Sequence, residues 1–264
     1  MLMSNRFTLG PGSRLSSTTL GTRSHTMKCR KPSKPLRRIV RALAGTLALA
    51  MLGCVTLVFA LRWVDPPTSA FMLRERILAV RNDGHPPIRH RWVGSRIAPV
   101  MKVAVIAAED QRFLEHRGFD LESIQAAFDE RAQGGRVRGA STISQQLAKN
   151  LFLWPGRSWV RKALEVGFTV LIESFWPKQR ILEVYLNVVE FGPGVYGVGA
   201  AADVYFRKPA AELTAEEAAL LAAVLPNPRR LRVAAPSAYV RSRQQWILAQ
   251  MRSLGGTTLL QHPQ

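Results

Sequence analysis

Between Ala42 and Leu61 the chain runs for 20 residues without a charge, ALAGTLALAMLGCVTLVFAL, and beyond Trp92 its apolar residues recur at helical intervals in seven stretches. At about 1.5 Å per residue the uncharged run covers roughly 30 Å, the thickness of bilayer hydrocarbon, and so predicts a transmembrane helix. It has no polar face, which disfavours a core helix of a soluble domain. The seven stretches predict helices over Pro99–Glu109, Leu121–Ala132, Thr142–Leu151, Trp159–Phe175, Lys178–Val189, Ala200–Phe206 and Thr214–Leu225. No alternating pattern of comparable length competes, so the fold class is mainly α. Thr214 and Glu217 have the spacing of a capping box, and Pro226 with Pro228 stops the helix they begin.

Punctuation divides the rest. Asp65-Pro66-Pro67 and Asn82-Asp83-Gly84-His85-Pro86-Pro87 bracket a short helix or extended connector around residues 70–81. The expected organisation is a basic tail over 1–41, an anchor over 42–61, a connector over 62–91, one domain over 92–250 and a frayed end over 251–264. Residues 1–36, rich in Ser, Thr, Gly, Pro and Arg, lack the apolar periodicity to offset ordering entropy and read as disordered. A length of 264 residues with 47% apolar content can bury one sizeable core.

The net charge of +19 changes the picture at one end: residues 1–41 hold ten Lys or Arg and no acidic residue. A sequence pI near 11.3 invites a nucleic-acid reading. A basic segment directly before an apolar run is also what orients a membrane protein, and that is the more economical explanation, so no nucleic-acid partner is expected. Arg37, Arg38 and Arg41 at the edge of the run place the tail in the cytoplasm and the body outside. The run is full length and ends in Leu61-Arg62-Trp63, which favours an uncleaved signal anchor. Only Cys29 and Cys54 are present, so the body has no thiol for a disulfide, a metal cluster or a nucleophile.

Candidate chemistry begins at Glu109-Asp110, where the apolar segment VAVIAA ends in adjacent carboxylates. Lost solvation raises a carboxylate's pKa and suits it to accept a proton near neutrality, making Glu109 a candidate general base. The alternative is that the pair forms ordinary ion pairs with Arg112 or Arg117. In the next helix Ser141, Gln145 and Lys149 share one stripe while Ile143, Leu147 and Leu151 lie opposite, a placement that could offer an amide and a cation to a phosphate. An ordinary capped amphipathic helix explains the apolar stripe equally well.

Arg157, Arg161, Lys162 and Glu165 form a third cluster at the start of an apolar helix, with a simple Lys162–Glu165 pair as the alternative. Glu183, Asn187 and Glu190 share a face; Glu183 and Asn187 read as residues that fix geometry by hydrogen bonding, and the glycines from Gly192 to Gly199 as a close backbone turn. The run Leu151-Phe152-Leu153-Trp154-Pro155 either packs in the core or dips into a bilayer surface.

Four ordered segments closely resemble motifs of the bacterial peptidoglycan glycosyltransferase family, lysozyme-like polymerases that use lipid II. They are Glu109-Asp110-x-x-Phe113-x-x-His116-x-Gly118, Gly139-x-Ser141-Thr142-x-x-Gln145-Gln146-x-x-Lys149-Asn150, Arg161-Lys162-x-x-Glu165, and Ile181-Leu182-Glu183-x-Tyr185-Leu186-Asn187. The similarity covers roughly residues 92–230. It implies that Glu109 deprotonates an acceptor sugar 4-hydroxyl, that Lys149, Arg157 and Lys162 neutralise diphosphates, that Glu165 assists at the donor side, and that Ser141 and Gln145 bind the sugar-phosphate region. It implies lipid II and the growing lipid-linked glycan as substrates, the bacterial inner membrane as location, and wall-synthesis or division proteins as partners. No cofactor is required by that chemistry, and a divalent cation is compatible with it. The Ser-x-x-Lys and Lys-Thr-Gly elements of a transpeptidase are not found, so the resemblance is to single-activity members.

Two alternatives stand beside it. A lysozyme-type hydrolase or lytic transglycosylase would share a fold and one acid, but has less need of Lys149 and Lys162. A non-catalytic anchored scaffold would leave Glu109 without a role.

Overall fold

The computed structural model describes residues 34–81, 87–132, 141–156 and 158–261. The disordered tail expected over residues 1–36 therefore lies almost wholly outside the described residues. Ten α-helices are present among those described: α1 (Lys34–Ala60), α2 (Ala70–Arg81), α3 (Pro99–Glu109), α4 (Leu121–Ala132), α5 (Ile143–Phe152), α6 (Trp159–Phe175), α7 (Lys178–Val188), α8 (Val198–Phe206), α9 (Ala215–Val224) and α10 (Ala238–Ser253). Compactness divides the chain into residues 1–48 and 49–264. In the first unit residues 37–48 are helical and exposed. Among the described residues α1 is the one helix long and apolar enough to cross a membrane, over Arg37–Ala60.

The larger unit is built around α3. Val103, Ala104, Val105, Ile106 and Ala107 are wholly buried, which explains the near absence of a polar face in that segment. It packs against α9 and α10. Small residues on α9, Ala218, Ala219, Ala222 and Ala223, are fully buried and let the two helix axes approach. Helix α5 packs on α6 and α7, burying Ile143, Leu147 and Leu151 as its apolar stripe anticipates.

Three features depart from the sequence expectation. The end expected to fray from residue 251 is helical to Ser253 and then forms a tight turn over Gly256–Gln261, because Leu254, Leu259 and Leu260 pack against the core. Helix α10 is absent from the periodicity because its buried positions, Val240, Ile247 and Met251, are sparse in an otherwise polar segment. A small sheet of β1 (Arg89–His90), β2 (Glu190–Gly192) and β3 (Val195–Tyr196) also forms, in the order β1-β3-β2, with β1 parallel and β2 antiparallel to β3. Its strands are too short for alternation to show. The turn at Gly197 has φ +77°, and a Cβ there would lie 2.5 Å from the Asn187 carbonyl oxygen, so the close turn expected among these glycines is imposed by backbone approach. Asn187 is fully buried; it accepts from the Val93 N–H and donates to the Gly94 and Glu183 carbonyls.

The C-terminal end of α1 is held chiefly by one side chain. Arg180 of α7 donates to the Leu61 carbonyl from Nε and one terminal nitrogen, to the Val64 carbonyl at 2.9 Å, to Asp65 at 2.9 Å and to Glu183 at 2.8 Å. Cationic donors at a helix C-terminus satisfy carbonyls that have no partner within the helix and oppose the negative end of its dipole. The Trp176 indole donates to the Val58 carbonyl at 2.8 Å, and Phe59 meets Phe175 edge to face.

Candidate active site

Glu109 is the last residue of α3, and Asp110 is its C-cap. The alternative pairing with Arg112 or Arg117 is not what forms for either carboxylate: Arg112 is engaged by Glu115, Asp120 and Glu122. Glu109 instead accepts from Gln146 Nε2 at 2.9 Å on Oε2 and from Arg243 at 3.3 Å on Oε1, and Gln146 accepts in turn from the Tyr185 hydroxyl at 2.9 Å. Its side chain is only 11% exposed. Burial pushes its pKa above the ordinary glutamate value, against the opposing pull of Gln146, Arg243 and Lys149.

Asp110 turns the other way and is structural. Its Oδ2 accepts from the Ile143 N–H at the start of α5, and its Oδ1 lies 2.8 Å from His116 Nε2. His116 Nδ1 accepts from the Gly118 N–H, so the Nε2 atom carries the proton given to Asp110. Gly118 has φ +86°, and a Cβ there would lie 2.8 Å from Thr169 and 2.9 Å from Glu173 on α6. The segment after α3 is thus folded tightly between α5 and α6, which aims Glu109 and Asp110 to opposite sides.

Helix α5 begins with a capping box: Thr142 Oγ1 accepts from the Gln145 N–H and Gln145 Oε1 accepts from the Thr142 N–H. Gln145 is therefore buried, with its carbonyl oxygen committed to the helix end and its amide nitrogen without an acceptor among the described residues. Ser141 is exposed just ahead of the cap. Of the Gln-Gln pair, Gln145 closes the cap and Gln146 is the residue that touches Glu109. The Lys149 side chain, one turn further, makes no hydrogen bond or ion pair among the described residues, and burial pulls its pKa below the ordinary lysine value. Glu165 and Glu109 both oppose that shift, while Arg161 and Lys162 reinforce it, which puts Lys149 within electrostatic reach of both carboxylates.

Ser158 caps α6 by accepting from the Arg161 N–H. Glu165 is buried and binds Arg161 at 2.7 Å and Lys162 at 2.5 Å, so the simple helical pair forms with a second cation added. An open hollow of about 300 Å³ is lined by Ser158, Trp159, Arg161 and Lys162. Arg157 lies outside the described residues.

The arrangement is therefore a buried carboxylate with two of its edges held, a half-buried lysine beside it, and a second carboxylate carrying two cations next to an open hollow. It can take a proton from a hydroxyl at one end and stabilise a multiply charged anion at the other. Gln146, Tyr185 and Arg243 are the functional neighbours that sequence reasoning did not select. Gln146 and Tyr185 stood in the quoted motifs, whereas Arg243 is on the helix whose periodicity is weak.

A family model described as Transglycosylase matches residues 80–252. A biosynthetic peptidoglycan transglycosylase of Xanthomonas campestris pv. campestris (strain B100) is 53% identical over 239 residues, covering 88% of this chain and 97% of its own. Proteins of the same description from Shigella boydii serotype 4 (strain Sb227) and Escherichia coli (strain ATCC 8739) are each 55% identical over 233 residues, covering 87% of this chain and 95% of theirs.

Proposed function

We propose, for a chain that belongs to the transglycosylase family and polymerises glycan strands in cell-wall synthesis, that Glu109 is the general base of the transfer. The domain is mainly α and lysozyme-like, and the enzyme is a peptidoglycan glycosyltransferase. Its substrates are lipid II and the growing lipid-linked glycan. Glu109 removes the proton from the 4-hydroxyl of the acceptor sugar. That oxygen attacks the anomeric carbon of the growing chain, a β-1,4 bond forms with inversion, and the bond to the diphosphate breaks. Undecaprenyl diphosphate leaves with the electron pair.

The observation that carries this reading is a Glu109 side chain only 11% exposed and held on both oxygens by Gln146 and Arg243, with Lys149 one turn from Gln146 on α5. A departing diphosphate gains charge in the transition state, and fixed cations stabilise that state selectively. Lys149 and Lys162, with Arg157, serve this role. Glu165 orients Lys162 and Arg161 toward the donor, and Ser141 with the Gln145 amide contacts the sugar-phosphate region. The proposed transfer uses no cofactor. A hydrolase acting on finished glycan has no diphosphate for these cations to meet.

α1 anchors the enzyme in the bacterial inner membrane in a single pass, with the basic tail in the cytoplasm and the catalytic domain outside. Trp154, 50% exposed, and Trp159, 90% exposed, flank the start of α6 and suit the polar-apolar boundary of a bilayer that delivers a lipid-linked substrate.

The test is polymerisation of labelled lipid II by the purified full chain. The wild type makes lysozyme-digestible polymer, and Glu109→Gln makes none while its circular dichroism is unchanged. Full activity in that variant overturns the mechanism.

A further inference from the structure

We propose that Arg243 is a positioning residue for the transfer, holding the Oε1 edge of the Glu109 carboxylate from α10 so that the base meets the acceptor hydroxyl in one orientation. One terminal nitrogen of Arg243 lies 3.3 Å from Glu109 Oε1 and 3.3 Å from the Ala108 carbonyl, at the open end of α3. The opposite edge, Oε2, is held by Gln146 of α5, itself fixed by Tyr185 of α7. The terminal torsion of a glutamate is broad and nearly two-fold, so a single partner leaves the carboxylate free to swing. Partners on both oxygens, drawn from separate helices, remove that freedom before substrate arrives.

The cation is what distinguishes this contact from the amide on the other edge. The groups facing Glu109 are Arg243 from α10, Gln146 and Lys149 from α5 and Tyr185 from α7. The buried face of α9 is alanine, leucine and valine, and the turn over Gly256–Gln261 that packs on α3 has no charged residue. Asp110, next on the chain, is occupied by His116 and the Ile143 N–H. Burial drives the Glu109 pKa up and Arg243 draws it back, so the base stays ionised at lower pH than burial alone would allow. The Arg243 Nε is buried without a partner among the described residues, a cost to the fold that a purely structural ion pair would not need to carry.

The inference rests on Glu109 being the base, and the experiment separates the two. Initial rates on labelled lipid II are measured against pH for the full-length wild type, Arg243→Gln, Arg243→Lys and Glu109→Gln, each with its melting temperature. Arg243→Gln is expected to lower kcat roughly 10- to 100-fold with KM changed less than about threefold, the range of a charged hydrogen bond at the transition state. Its acid limb moves to higher pH. Arg243→Lys, which keeps the charge but not the planar guanidinium that reaches both the Ala108 carbonyl and Glu109 from one nitrogen, returns the limb toward its wild-type position while kcat stays reduced. An acid limb left in place in both Arg243 variants, or a loss confined to KM, overturns the proposal even if Glu109→Gln is inactive. Polymerisation by Glu109→Gln overturns the base assignment instead.

Discussion

Gln146 donates to Glu109 at 2.9 Å and receives the Tyr185 hydroxyl at 2.9 Å, so a carboxylate at the end of α3 is steered from two other helices. Burial raises the Tyr185 pKa well above that of a free phenol, which keeps its hydroxyl a donor across any assay pH. Gln146→Ala is expected to cost about 10- to 100-fold in kcat, the range for a hydrogen bond to a charged group, and Tyr185→Phe about fivefold. Steady-state rates on lipid II check both, and a Tyr185→Phe loss as large as that of Gln146→Ala would show that the hydroxyl does more than orient the amide.

Lys149→Met is expected to raise the melting temperature while lowering activity. The lysine's pKa is depressed in the folded state, so its charged form is less favourable there than in the unfolded chain at neutral pH. Removing the charge relieves that cost, and methionine fills the space. Calorimetry and a rate assay on the same preparation decide it, and a lower melting temperature refutes the reading of Lys149 as a cation held against its own solvation.

Glu109 has the opposite polarity with the same consequence. Its folded pKa lies above the unfolded value, so between the two the folded state binds more protons and stability falls as pH rises through that window. Glu109→Gln is therefore expected to melt at or above the wild-type temperature at pH 7. For the same reason the acid limb of the wild-type rate profile lies above the ordinary glutamate range.

His116→Ala is a test of structure. It leaves Asp110, whose side chain is 2% exposed, with only the Ile143 N–H, and is expected to cost about 1–3 kcal/mol of stability. Urea unfolding measures the loss; a change under about 0.5 kcal/mol would mean that water replaces the imidazole.

Much of this was legible in the sequence because it is periodic. The stripe Ile143, Leu147 and Leu151 and the apolar VAVIAA segment specify buried faces that the packing honours. The polar partner of Glu109 was not legible, since spacing alone does not separate an amide closing a capping box from the next one, Gln146, that reaches the carboxylate. Thr142 supplies the missing signal: a hydroxyl followed three residues later by glutamine predicts that Gln145 is occupied. Arg243 was not legible at all. It lies 134 residues from Glu109 on a helix whose buried positions are too few to mark a face, and only tertiary packing joins them.

The guanidinium of Arg180 has a mechanical consequence. With its donors spread over Leu61, Val64, Asp65 and Glu183, it leaves no slack where the last turn of α1 meets the body. One guanidinium therefore fastens the residues that follow α1 to α7, so loss of Arg180 would free that junction from the helix that carries Glu183.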